Sequence, residues 1–265
     1  MELFGYIASL FIGISLGLIG GGGSILTVPV LVYLLGVDPV RATTYSLFIV
    51  GVTSLLGTWP KYRHGLVDVR TALVFGGPSI VAVYATRKYL LPALPEVLFR
   101  LGEVTISKPV FIMVLFAGLM LAASVSMIRE KTEDCVDCDD ELRYNYPMIL
   151  LEGTLVGALT GLVGAGGGFL IIPALVVFSK LSMKKAVGTS LLIIGAKSLI
   201  GFTGDLTHTT LDWQLLGTVT GLALVGFVVG NVLSRKVPSR GLKNGFGWFV
   251  LVMGAYILVR ELLLQ

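Results

Sequence analysis

Read for apolar stretches long enough to cross a bilayer, the chain divides into eight hydrophobic segments: 3–35, 41–58, 69–86, 109–128, 147–179, 186–204, 213–234 and 242–260. A hydrocarbon core of ~30 Å takes about 20 mostly apolar residues as helix. Backbone groups facing lipid must also be paired within their own segment. The pattern therefore predicts an all-α polytopic membrane protein. Segments one and five break the rule of length. Each has about 33 residues, roughly 50 Å as continuous helix. Each is interrupted by glycine, at Gly20-Gly21-Gly22-Gly23 and at Gly164-Ala165-Gly166-Gly167-Gly168.

A single conspicuous linker, 129–146, separates a first membrane unit (1–128) from a second (147–265). It holds seven acids and three bases, so it carries −4 while the rest of the chain carries +8. Shifted by 144 residues, 17–68 overlays 161–212 without a gap, and nineteen of the 52 positions are identical. Apolar identities in membrane segments carry little weight. Gly20/Gly164, Gly23/Gly167, Pro29/Pro173, Ser46/Ser190, His64/His208 and Asp68/Asp212 at one constant offset carry much more. The chain thus reads as two homologous four-segment repeats, each opening on a glycine-broken helix.

The excess length of the broken segments favours re-entrant hairpins, which leave three crossings per half and make the halves inverted. Lys and Arg then divide 13 to 6 across the membrane, against 12 to 7 for parallel halves, so charge counting does not separate the two. Inverted halves put 129–146 in the cytoplasm and both termini outside. Met1-Glu2-Leu3-Phe4 lacks the basic start of a signal peptide, so the first segment is expected to stay in the membrane.

Composition narrows the function. Apolar residues make up 55% and charged residues 14%, against about 25% charged in soluble domains, which excludes a soluble enzyme, a nucleic-acid module and a disordered chain. The net charge of +4 is scattered between apolar runs and reads as a topology signal. Two Cys and two His leave no haem, iron–sulfur or multi-histidine metal site from protein ligands alone, and no cofactor is expected. No nucleophile–base pair lies at membrane depth, so an enzyme is not expected. Cys135-Val136-Asp137-Cys138 in the linker keeps a redox or metal sensor open as an alternative.

Glycine-broken helices in corresponding positions of two halves point to a transporter binding site. New half-helices starting after the breaks would aim free N–H groups and the positive dipole end at an anion. Gly22, Gly23, Ser24, Gly166, Gly167 and Gly168 form that candidate cradle. On the following helices, Ser46 and Thr53 share a face, as do their mates Ser190 and Lys197. Lys197 lies well inside a hydrophobic segment, and an ionisable residue at membrane depth defaults to function. Lys197 and the intramembrane Glu152 are candidates for ion coupling. His64 and His208 flank segment ends and read as solvated loop charges.

The runs Gly17-Leu18-Ile19-Gly20-Gly21-Gly22-Gly23-Ser24 with Pro29, and Gly161-Leu162-Val163-Gly164-Ala165-Gly166-Gly167-Gly168 with Pro173, resemble the TauE/SafE sulfite-exporter family. Ala42-Thr43-Thr44-Tyr45-Ser46 and Ala186-Val187-Gly188-Thr189-Ser190 resemble its pattern too, and the resemblance covers the whole chain. It implies a multi-pass permease of a prokaryotic cytoplasmic (inner) membrane without ATP-binding domains. The activity implied is export of small sulfur-containing anions such as sulfite or organosulfonates, by alternating access and coupled to protons. A permease for another small anion is the nearest alternative. The expected partners are the anion and the lipid bilayer, with a homodimer allowed and no nucleic acid.

Overall fold

A computed structural model describes residues 2–101, 104–129, 146–177, 181–206, 211–234 and 239–263. Apart from one short hairpin, its regular elements are helices. Helix α1 (Glu2–Ile19) ends at a 3₁₀ stretch (Gly20–Leu26), after which the chain returns through α2 (Thr27–Pro29) and a π-helical run (Val30–Leu34). Gly23 packs on the backbone of Ser15 and Leu16, and Gly5 packs on Leu34 and Leu35. Segment one is therefore a hairpin folded back at its glycines.

Then come α3 (Pro39–Arg63) and α4 (Val69–Ala85), the latter running through a π-helical stretch (Thr86–Leu90) into α5 (Leu91–Ala93). An antiparallel pair, β1 (Val97–Leu101) and β2 (Val104–Ser107), leads into α6 (Lys108–Arg129). Beyond the linker are α7 (Tyr146–Val163), α8 (Gly168–Val177), α9 (Met183–Asp205), α10 (Trp213–Leu233) and α11 (Ser239–Leu263). Among the described residues, five helices are long and apolar enough to cross a membrane, and shorter apolar helices cover 4–18, 23–34 and 148–163. The chain is a multi-pass membrane protein. Large apolar side chains such as Phe11, Leu73, Val81 and Val228 point outward, as a lipid-facing surface requires.

Short polar signals start these helices. Asp38 accepts the Val40 and Arg41 N–H groups ahead of α3, with Pro39 at the first helical position. Asp68 caps α4 and Asp212 caps α10 in the same way. The Asp68 and Asp212 caps are also tied to the other half of the chain. The Asp68 N–H donates to Thr189 Oγ1, and the Asp212 N–H donates to Tyr45 Oη. Positions 45 and 189 differ by 144, as do 68 and 212.

Small residues set the helix packing. Gly13 and Gly17 of α1 lie against Ala223, Phe227 and Gly230 of α10, so the two helices run side by side in one direction. Gly157 and Gly161 of α7 lie likewise against Ser79, Val83 and Thr86 on the α4 side. Gly51 of α3 meets Leu199 and Gly195 of α9 meets Leu55, so α3 and α9 run antiparallel at the centre. Gly226 and Gly230 meet the backbone of Leu10 and Ile14, whereas Gly217 and Gly221 face open space. Four-residue glycine spacing alone therefore does not mark a contact.

At Gly226 a new side chain would strike backbone, which cannot rotate away. Gly226→Leu is expected to cost at least the ~1–3 kcal/mol typical of overpacking. Gly221→Leu should leave stability near wild type. Monodispersity and melting midpoint in detergent check the pair.

Candidate functional site

The two glycine breaks meet at the middle of the molecule. Gly168 packs on the backbone of Gly21, and any Cβ at Gly168 would collide with the Gly21 carbonyl. The breaks are built differently. The second turns through left-handed glycines, Gly164 at φ 74° and Gly167 at φ 74°, a geometry reached at little cost only without a side chain. It then opens directly into α8, whose first free N–H groups face back toward the break. Left-handed turns of this kind gather backbone N–H groups into anion-binding concavities. The first break turns through one left-handed glycine, Gly20 at φ 71°, and then follows 3₁₀ geometry. From Gly23 the chain continues as a mixed apolar helix to Leu34, α over Thr27–Pro29 and π over Val30–Leu34, and the buried Ser24 hydroxyl donates to the Gly21 carbonyl at 2.8 Å.

Lys197 stands over the second break. It is 1% exposed, and its ammonium donates to Thr160 Oγ1 at 2.9 Å. A Cβ on Gly167 would lie 2.8 Å from Nζ, so the missing side chain makes room for the charge. Among the described residues, no carboxylate lies within ion-pair distance of this ammonium. An ammonium buried with one hydroxyl acceptor and no carboxylate beside it has the chemistry to bind an anion.

The remaining candidates are less directly engaged. Ser46 is buried, with no hydrogen-bond partner for its Oγ among the described residues. Thr53 donates to the carbonyls of Ile49 and Val50, and Ser190 to that of Val187, so both hydroxyls bond to their own helices. A Cβ on Gly21 would lie 3.6 Å from Ser190 Oγ, which puts that hydroxyl beside the meeting point of the breaks. Gly22, Gly23 and Gly166 lie within the breaks, Gly166 against Val50 and Ile194. Glu152 is half-buried on α7, eight residues from Thr160 and so about 12 Å along the helix. It does not join Lys197. Cys135, Cys138 and His208 lie outside the described residues.

Sequence reading missed a second buried cation. Segment three does not stop at residue 86: the helical run continues to Ala93 and takes Arg87 with it. Arg87 is 0% exposed and pairs with Asp205 Oδ2 at 2.9 Å, while also donating to Thr43 Oγ1 at 3.0 Å. Thr44 Oγ1 donates to Asp205 at 2.7 Å. Thr43 in turn packs directly on Gly164. The signal was split between Arg87 and a carboxylate 118 residues away, and each charge alone looked like a segment end.

A family model described as "Sulfite exporter TauE/SafE" matches residues 6–257. The chain is similar to a probable membrane transporter protein of Xylella fastidiosa, with 30% identity over 94% of this chain and 92% of that protein. It is 27% identical to the probable membrane transporter protein YunE of Bacillus subtilis, over 84% of this chain and 85% of the relative. A probable membrane transporter protein of Methanocaldococcus jannaschii is 26% identical, over 96% and 94%. No solved structure matches the chain significantly.

The geometry of Lys197 separates binding from stability. Lys197→Met keeps length and removes an uncompensated buried charge, so the ligand-free protein should melt at or above the wild-type temperature. Anion affinity should fall by ~2 kcal/mol or more, about thirtyfold. Thermal melts and equilibrium titrations of the two proteins check both halves of this expectation.

Proposed function

The chain belongs to the sulfite exporter TauE/SafE family, and from that premise we propose that it is a secondary transporter of small sulfur-containing anions such as sulfite or organosulfonates. The observation that carries the reading is the buried Lys197 ammonium over the second glycine break. A sulfur oxyanion needs positive charge and several donors to leave water. Lys197 offers the charge, and the N–H groups of Gly166, Gly167 and Gly168 at the α8 end offer the donors. Gly22, Gly23 and Ser24 close the site from the other break. Ser46 and Ser190 supply hydroxyls beside it, and Thr53 stands at the position related to Lys197. The membrane in this reading is the cytoplasmic (inner) membrane of a prokaryote.

The transport cycle in this reading is alternating access between two inverted halves. Two features of the packing support it. The repeat-related α3 and α9 run antiparallel, and a two-fold axis exchanging antiparallel crossing helices lies in the membrane plane. The α1–α10 contact also recurs between α7 and α4: Gly13 with Ala223 becomes Gly157 with Ser79 after the 144-residue shift. The first helix of each half is thereby packed on the third helix of the other, an arrangement suited to rocking around a fixed central site. Export driven by protons uses Lys197 or Glu152 as the titrating group.

The test is a ligand panel on purified protein: sulfite, thiosulfate, sulfate, sulfoacetate, taurine and acetate, read by thermal shift, followed by flux in proteoliposomes. Selective stabilisation by a sulfur anion is the expected result, with counterflow of the same anion. A response confined to acetate would replace the substrate class with another small anion. Flux that does not respond to a pH gradient would remove proton coupling.

A further inference from the structure

The buried guanidinium of Arg87 is used on one side only. Nη1 donates to both Asp205 and Thr43. Nε and Nη2, whose N–H bonds run parallel along the other edge of the plane, have no hydrogen-bond partner among the described residues. A buried charged donor without an acceptor is costly, and such groups in a well-packed interior call for an explanation. This edge is the fork that matches two oxygens of a single anion. With the carboxylate of Asp205 already held at Nη1, the donor geometry of this edge matches an oxyanion from outside the chain.

The position places that fork on the same path as the central site. Thr43, which Arg87 holds at 3.0 Å, lies on Gly164 at the start of the second break, and Thr86 packs on Gly161 just before it. Arg87 also sits in a π-helical turn, a distortion found frequently at functional sites. The positions related to Arg87 and Asp205 by the 144-residue shift are Asn231 and Lys61. Those two line a cavity of about 260 Å³ together with Pro60, His64, Leu66 and Ser234. One copy of the locus is thus ion-paired, and the other borders space for a small molecule.

We propose that Arg87 is a second oxyanion-binding residue of the transport path, presenting Nε and Nη2 to two oxygens of a sulfur oxyanion while Asp205 and Thr43 hold its opposite edge. The proposal rests on the anion-transporter reading above. Asp205 neutralises the guanidinium when the fork is empty, and Thr44 fixes the carboxylate. Lys197 and Arg87 then give the anion two stations on either side of the second break.

The test is a sulfite titration of purified wild type, Arg87→Lys, Asp205→Asn and Lys197→Met, with melting midpoints measured without ligand. Lysine keeps the charge and the pairing with Asp205 but lacks the fork. Arg87→Lys should melt near wild type and bind sulfite at least tenfold more weakly. Asp205→Asn should melt lower without ligand yet gain a larger stabilisation from sulfite, since the carboxamide oxygen can still accept from Nη1 but no longer offsets the guanidinium charge that the anion meets. A purely structural pair predicts wild-type affinity in Arg87→Lys and a reduced sulfite response in Asp205→Asn, and either result overturns the proposal. If Arg87→Lys does not insert, the sign of the Asp205→Asn response decides alone. No sulfite response in wild type would overturn the transport reading and this one together. A response lost in Lys197→Met but intact in Arg87→Lys would overturn only the role of Arg87.

Discussion

Backbone that leaves the helix inside a bilayer must be buried in protein, because lipid offers no partner for its N–H and C=O groups. The rest of this structure follows from that constraint applied twice. Two glycine breaks interrupt two apolar segments; they touch where Gly168 lies on Gly21, and neighbouring helices cover the rest, with Gly164 on Thr43 of α3 and Gly166 against Val50 and Ile194. Side chains at these positions would push the breaks apart. Around the contact, α3 and α9 supply the inner wall, and the α1–α10 and α4–α7 pairs pack outside it through their own glycines. The helices turn large apolar side chains such as Phe11 and Leu73 outward, and their interior combines an apolar core with the buried polar groups Ser46, Thr53, Ser190, Lys197, Arg87 and Asp205.

Two buried cations flank the second break, and they differ in kind. Arg87 has a carboxylate within 2.9 Å, so its charge is locally balanced. Lys197 donates to the Thr160 hydroxyl and has no carboxylate within ion-pair distance among the described residues. Breaking a balanced pair leaves a costly orphan, whereas an unbalanced cation already bears that cost and recovers it when an anion arrives.

Much of this was legible in the sequence because membranes impose few solutions. Apolar length predicted the helices, and glycine runs predicted the breaks. The excess length of segment one pointed to the hairpin that Gly5 and Leu35 form. Lys197 stood out since nothing nearby in sequence could neutralise it. Arg87 did not, because its partner lies on another helix and local reading takes an arginine after an apolar run for an interface residue. The unequal geometry of the breaks was also hidden. Gly-Gly-Gly-Gly and Gly-Ala-Gly-Gly-Gly look alike as strings, but the packing of Ser15 and Leu16 on the first and of Thr43 and Thr160 on the second bends them differently.

The most direct measurement is to locate a bound oxyanion by anomalous diffraction, using selenite as a heavier pyramidal stand-in for sulfite. The account predicts a selenium peak within hydrogen-bonding reach of Lys197 Nζ and the backbone of Gly166, Gly167 and Gly168. Selenium found only at loop positions, with the space over the second break filled by apolar side chains and Lys197 paired to a carboxylate, would contradict it.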